Sequence, residues 1–293
     1  MTMEVRPSRP GEQSRLRALW HTVFGDEEAC IDWFYRCGCC TPEDVLVLAE
    51  DGVPVTMLYL PPVTLVSAAG ESTEARYVYA LATDPARRGL GYGHRLLRYT
   101  DQVMEERGLD CLTVVPAQPS LHRFFGSAGF RPCFTHLQAE YTAEVLGPPH
   151  PGDRLTTADA AAYNRARNPL LSGLCRVCYS DDMVRFQEGL SRMSGGALCL
   201  LDLSGRPGCA AVECSGGTAI CKELLTAPGD ELRGAALIRS HFGSERCQVR
   251  VPPGRQALPG GGLQAFGMVK WYREQPDCPR VKDITGYMGL GFD

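Results

Sequence analysis

Apolar positions in the first half of the chain alternate between helical spacing and short strand-like runs. Leu16, Leu19, Trp20 and Val23 recur at helical intervals, and Gly25 interrupts them. The predicted order is helix 11–24, helix 27–35, strand 45–49, strand 55–60, strand 76–83, helix 93–107, strand 111–115, helix 120–128 and strand 134–142. This mixture predicts an α/β fold of the α+β mixed-sheet kind.

A proline-rich break at 147–152 divides the chain into halves that are each long enough for a core of their own. The second half repeats the plan of the first, with strands predicted at 198–202 and 219–226, a helix over 232–242, and a strand at 247–251. We therefore predict two domains, residues 1–147 and residues 148–293.

Composition excludes several classes of protein. The chain has 293 residues and a net charge of −4, which is unfavourable for a general nucleic-acid binder. No run of 18 apolar residues and no export signal are visible, so we expect a cytoplasmic protein without a membrane partner. The 14 cysteines are expected to be thiols. Cys30, Cys37, Cys39 and Cys40 lack a second ligand pair at zinc spacing, so no metal is expected, and a zinc or redox protein is kept as an alternative.

The segment Asp84–Gly93 carries the sharpest chemical signal, because it joins a predicted strand to an amphipathic helix. Its alternate glycines, Gly89, Gly91 and Gly93, allow the backbone to approach a ligand closely and to present N–H groups. The helix N-terminus adds partial positive charge, and Arg87 and Arg88 can supply full charges. The pattern predicts a phosphate or pyrophosphate site. The alternative is a glycine-rich connection that binds nothing.

Two other phosphate-binding loops do not fit this segment. A P-loop needs a Lys after its second Gly, and the first half of the chain contains no Lys. A dinucleotide-binding fingerprint needs a third Gly where this chain has His94.

The pattern R-x-x-G-x-G, from Arg88 through Gly91 to Gly93, resembles the acetyl-coenzyme A loop of the GNAT superfamily of N-acetyltransferases. The stretch 124–130, FFGSAGF, is similar to the F-Y-x-x-x-G-F segment of that family. The resemblance covers residues 45–142 well and 150–293 only faintly. It implies a GNAT-like first domain and a second, degenerate GNAT-like domain without a cofactor loop, an arrangement that occurs in tandem members of the family.

The resemblance also implies a set of cofactor-binding residues. Backbone N–H groups of the strand end would hold the thioester carbonyl, and the loop would hold the pyrophosphate. The residues it implies are Leu81, Ala82, Thr83, Arg87, Arg88, Gly89, Leu90, Gly91, Tyr92, Gly93 and Phe125.

Phe125 stands where the family has its proton-donating Tyr, so the usual general acid is missing. Tyr79 and Tyr92 are possible substitutes. Glu74 is a candidate base acting through water, and the carboxylate of Asp293 is another, because the end of the chain has this role in the enhanced-intracellular-survival group of the family.

The sequence thus predicts an acyltransferase that moves an acetyl group from acetyl-coenzyme A to an amine by direct attack. The acceptor, a small molecule or a peptide, and the oligomeric state are left open. The alternative is a catalytically silent coenzyme A-binding module, which the residue Phe125 favours.

Overall fold

The structure is a computed structural model that describes residues 2–254, 258–273 and 286–292. Within these ranges the chain forms two compact units. The N-terminal unit comprises residues 2–64, 73–131 and 268–273, and the C-terminal unit comprises residues 65–72, 132–254, 258–267 and 286–292. These units differ from the predicted division at residue 147 in which segments they include, and the two-domain boundary stays a prediction.

Strands and helices are interspersed along the described residues, with runs of consecutive strands at β2–β5 and β10–β12. The strands are β1 Met3–Pro7, β2 Val45–Glu50, β3 Val53–Tyr59, β4 Pro62–Val66, β5 Ser72–Thr83, β6 Cys111–Val114, β7 Arg131–Thr142, β8 Asp153–Thr157, β9 Arg176–Tyr179, β10 Ala197–Leu203, β11 Pro207–Ser215, β12 Thr218–Leu225, β13 Arg246–Val251 and β14 Gly262–Trp271. The helices are α1 Gln13–Phe24, α2 Glu28–Cys37, α3 Tyr92–Glu106, α4 Pro119–Ser127, α5 Ala143–Leu146, α6 Ala160–Leu170, α7 Asp181–Met193 and α8 Glu231–His241.

The N-terminal unit is built on a mixed sheet with the order β1-β2-β3-β5-β6, and residues 268–271 of β14 pair with β6. The neighbouring strands are antiparallel except for β5 and β6, which are parallel because α3 connects them. The β2–β3 turn has positive φ angles at Asp51 (45°) and Gly52 (83°), as a two-residue hairpin of this sequence requires.

One face of this sheet is covered by α3, whose apolar stripe matches the sequence prediction. Leu96, Leu97, Val103 and Met104 are buried in a cluster with side chains of β2, β3 and β6. Gly108 follows the helix with a φ of 66°. Helices α1 and α2 contribute Trp20 and Phe34 to a separate aromatic group around Tyr59 and Tyr79.

The C-terminal unit contains the strand order β7-β13-β12-β11-β10-β8, with α8 packed on β12 and β13. Its first hairpin turns at Ser204 and Gly205, both with positive φ, in the same way as Asp51 and Gly52. The predicted strands of this half correspond to β10, β12 and β13, and the predicted helix corresponds to α8.

The predicted mixed α/β class is confirmed. Sequence periodicity missed several elements, namely β1, β4, β8, β9, β11, β14, α5, α6 and α7. Among the described residues, no helix is both long enough and apolar enough to cross a membrane. Within the same ranges, no three His, Cys, Asp or Glu side chains are grouped so that they could hold a metal ion.

Candidate active site

The segment after β5 begins with a fixed turn. Asp84 accepts a hydrogen bond from the backbone N–H of Ala86 (3.0 Å), and Arg15 on α1 forms an ion pair with the Asp84 carboxylate (2.7 Å). The hydrogen bond from Arg15 lowers the pKa of Asp84. A single 3₁₀ turn over Pro85–Arg87 then connects Asp84 to the glycine-containing part of the loop. The turn therefore has a defined starting point on the sheet.

The glycine loop leaves its backbone donors open. Gly89 and Gly91 have φ angles of 82° and 74°, a region that favours glycine. Among the described residues, the N–H groups of 89–94 have no acceptor, and no side chain caps the N-terminus of α3. Six consecutive open donors at the positive end of a 15-residue helix suit a diphosphate.

Gly93 also lies close to the neighbouring helix α4. It lies in the first turn of α3, and a Cβ built there would be 3.1 Å from Cζ of Phe124 on α4. The absence of a side chain thus permits close packing of α3 against α4. Close approach of a ligand is not needed to explain this glycine.

The two arginines of the loop have different surroundings. Arg87 forms an ion pair with Glu50 at the end of β2 (2.7 Å), and the Tyr92 hydroxyl donates a hydrogen bond to the same carboxylate. The bonds from Tyr92 and Arg87 lower the pKa of Glu50. Arg88 is exposed, and its guanidinium has no partner among the described residues. Arg87 and Tyr92 thus brace the loop, while Arg88 is available to an anion.

Strand β5 is irregular where the thioester site is predicted. Ala80 has a φ of 46°, and the register with β3 shifts between Met57 and Tyr59. Pairing with β6 ends at Val78, so the side of β5 toward β6 has no strand partner over 80–83 in the described chain. This stretch contains the predicted Leu81, Ala82 and Thr83. Its free edge provides main-chain donors for a carbonyl oxygen.

Tyr79 is the predicted catalytic residue that lies beside this edge. It directly precedes the bulge and pairs in register with Tyr59 of β3. Its ring centroid lies 5.5 Å from those of both Trp20 and Phe34, so the α1 and α2 helices hold its position.

The remaining catalytic candidates are not brought to the same place. Glu74 is exposed near the other end of β5, six residues before Ala80, which is about 20 Å along an extended strand. This placement argues against Glu74 as the base. Tyr92 is held by Glu50. Asp293 lies outside the described residues.

Phe125 on α4 belongs to the apolar core of the N-terminal unit. Its ring lies 5.5 Å from that of Phe130 and 5.1 Å from that of Phe124, with 4% of the residue exposed. The prediction that no proton donor stands at this position is consistent with this apolar setting.

Sequence reasoning missed a cavity of about 290 Å³ in the N-terminal unit. It lies among the end of β1, the start of α1, the end of α2 and the strands β2 and β3, with Phe34, Tyr35 and Tyr59 in its wall. The Tyr35 and Tyr59 hydroxyls are 2.5 Å apart, and burial raises the pKa of both. Since Tyr59 pairs with Tyr79, the cavity wall adjoins the bulged part of β5.

Comparison with protein families identifies the N-terminal region. Residues 4–132 match the family model described as Acetyltransferase (GNAT) domain. No curated protein matches the chain in sequence.

Solved structures resemble nearly the whole chain in fold. A GCN5-related N-acetyltransferase from Anabaena variabilis superposes with a TM-score of 0.73 at 11% identity, covering 92% of this chain and 72% of that one. Eis1 from Mycobacterium abscessus gives 0.68 at 11% identity over 92% and 73%. A tandem GNAT protein from the clavulanic acid biosynthesis pathway gives 0.53 at 16% identity over 94% and 100%. The similarity at these identities is one of fold.

Proposed function

Because residues 4–132 carry a GNAT acetyltransferase domain, we propose that the protein transfers an acetyl group from acetyl-coenzyme A to an amine. The observation that carries the proposal is the row of open backbone donors over 89–94, next to the unpartnered guanidinium of Arg88. These groups fit a diphosphate in charge and in hydrogen-bonding capacity. Acetyl-coenzyme A supplies an activated acetyl group as a thioester.

The unpaired edge of β5 would orient the reacting carbonyl. N–H groups within 80–83 are fixed by the pairing of β5 with β3 and need no rearrangement to donate to a carbonyl oxygen. Such fixed donors stabilise negative charge that develops on that oxygen. The acceptor amine would attack directly from the side of the cavity, where Tyr59 adjoins Tyr79.

Tyr79 is our proposed proton donor, because it stands beside the bulge and Phe125 has no hydroxyl. Replacing Tyr79 with Phe keeps the ring that packs on Trp20 and Phe34. The variant should lower kcat by about 100-fold or more if the hydroxyl donates, with an unchanged affinity for coenzyme A. A thiol with a pKa of about 8.5 also leaves unaided, so an unchanged kcat would contradict this role for Tyr79.

A silent coenzyme A-binding module is the second candidate, favoured by the apolar surroundings of Phe125. Calorimetric titration with coenzyme A, together with thiol release from acetyl-coenzyme A across a panel of amines, separates the two. Binding with amine-dependent thiol release supports the transferase. Binding without release supports the module, and no binding contradicts both.

We further propose a reducing, cytoplasmic setting, since cysteines such as Cys199, Cys209 and Cys221 are fully buried side chains of the core.

A further inference from the structure

The cavity of the N-terminal unit has a chemically biased wall. Leu16, Phe34, Tyr35 and Tyr59 give it an apolar and aromatic interior, and Arg9 is its only charged residue. None of the lining residues is an Asp or a Glu. A polycationic acceptor needs carboxylates that neutralise its ammonium groups, and this wall offers none.

Nearby carboxylates are already engaged with arginines outside the cavity wall. Glu12 forms an ion pair with Arg6 (2.7 Å) and accepts a hydrogen bond from the Arg9 backbone N–H (2.7 Å). Asp44 forms an ion pair with Arg107 (2.7 Å). These groups are neutralised where they stand and do not make the cavity attractive to cations.

Arg9 can change partners at low cost. Its guanidinium lies 2.9 Å from Glu4, in a pair whose side chains are about half exposed, and Glu4 also accepts a hydrogen bond from Arg6. Exposed pairs of this kind contribute little to stability. An anion at the cavity mouth can therefore recruit Arg9 without leaving Glu4 unpaired.

The start of α1 adds to the same bias. Gln13, the first residue of the helix, lines the cavity, and the first turn holds no acidic side chain. The N–H groups of 13–15 have no acceptor among the described residues. The positive end of the helix dipole and Arg9 thus border the same cavity as Tyr59, which adjoins the bulge of β5.

Resting on the proposed acetyl transfer, we propose that the acceptor is a small primary amine that also carries a carboxylate and an apolar or aromatic body, that is, a free amino acid of this type. A volume of about 290 Å³ lies at the lower end of the range of about 300–1,000 Å³ that is typical of ligand pockets, which suits a small acceptor. The carboxylate lies at Arg9 and the start of α1, the body lies against Phe34 and Tyr35, and the amine points toward Tyr79.

The test is equilibrium binding of three matched ligands to the full chain saturated with coenzyme A. Phenylalanine, phenylalaninamide and phenethylamine share the amine and the ring, and differ in the carboxylate. Phenylalanine should bind about tenfold more tightly than the other two, and Arg9→Gln should abolish that preference. Arg98→Gln, at an exposed position on α3, is the control and should keep it.

Three results would overturn the amino-acid proposal. Phenethylamine binds as tightly as phenylalanine or more tightly, or none of the ligands binds. The third is that kanamycin, which represents the polycationic acceptors, binds more tightly than phenylalanine. Binding does not require turnover, so the two proposals fail separately. Selective phenylalanine binding without thiol release refutes acetyl transfer alone. Thiol release with phenethylamine but not with phenylalanine refutes the substrate class alone.

Discussion

The loops that follow β5 and β12 occupy corresponding places in the two units but treat their backbone donors in opposite ways. After β5, the N–H groups of 89–94 have no acceptor in the part of the chain that the structure describes. After β12, Gly229 donates its N–H to the Glu231 carboxylate (2.8 Å), and Asp230 donates its N–H to the Ala227 carbonyl (3.1 Å). The C-terminal loop therefore satisfies two of its donors, those of Gly229 and Asp230, with its own acceptors.

Charge follows the same division. Asp230 and Glu231 are buried at the start of α8, and Arg206 forms an ion pair with Asp230 (2.5 Å). Carboxylates at this helix end would repel a diphosphate, whereas Arg88 at the start of α3 would attract one. The comparison indicates that the loop after β5 leaves polar groups available for a ligand, whereas the loop after β12 uses its polar groups in contacts within its own unit. It agrees with the prediction of a second domain without a cofactor loop, which still needs the tests below.

The largest expected effect is on the stability of the C-terminal unit. Arg167 on α6 and Glu223 on β12 form a fully buried ion pair (2.7 Å), and the Tyr163 hydroxyl also donates to Glu223 (2.8 Å). Arg167→Met leaves a buried carboxylate without its cation and should lower the free energy of unfolding by about 3–5 kcal/mol in urea titrations. The double variant Arg167→Met/Glu223→Leu should recover most of the loss. A single variant as stable as the parent would contradict this assignment.

The next effect is on coenzyme A binding and compares the loops directly. Gly91→Asp adds a carboxylate among the open donors and should weaken coenzyme A by roughly 100-fold or more in calorimetry. Gly229→Asp is a matched control, because Gly229 also has a positive φ (93°), so the backbone strain of introducing Asp is similar at the two positions. It should leave coenzyme A affinity unchanged. If both variants lose binding equally, or Gly91→Asp keeps it, the contrast between the loops is wrong.

Sequence reasoning succeeded where the signal is local. The segment Asp84–Gly93, which joins a strand to a helix, and the amphipathic character of α3 each depend on neighbours within a few residues. Backbone conformation at such positions is dictated by residue type and spacing, so the pattern alone predicts it.

Sequence reasoning failed where the interacting residues are far apart in the chain. The pairing of Arg87 with Glu50 joins residues 37 apart, and that of Arg167 with Glu223 joins residues 56 apart. Strand β1 carries polar residues and is defined by its pairing with β2 rather than by an apolar run. The cavity is assembled from several separate segments, so no local pattern announces it.

A smaller effect should separate the two loop arginines. Arg88→Gln removes an unpartnered charge and should weaken coenzyme A by about tenfold without changing the melting temperature. Arg87→Gln breaks the contact with Glu50, and its effect on coenzyme A should be distinctly smaller. Both affinities are measured by calorimetry at one ionic strength. Equal losses would restore the sequence prediction that both arginines contact the diphosphate.

The smallest effect concerns acid stability and compares one aspartate from each unit. Arg233 lowers the pKa of the buried Asp153, and Arg15 lowers the pKa of the partly exposed Asp84. A lowered folded-state pKa stabilises the fold at pH above the ordinary Asp value of about 3.9 and is lost as the pH falls through the folded value. Asp153→Asn should therefore lower the Tm by about 2–4 °C at pH 7, and this difference in Tm from the parent should narrow as the pH falls below about 3.9. Asp84→Asn should show the same trend with a smaller loss of Tm, because solvent screens the ion pair of Asp84 with Arg15 more strongly. If the difference in Tm between the parent and Asp153→Asn stays constant from pH 7 to pH 3, the pair with Arg233 does not stabilise the C-terminal unit through charge.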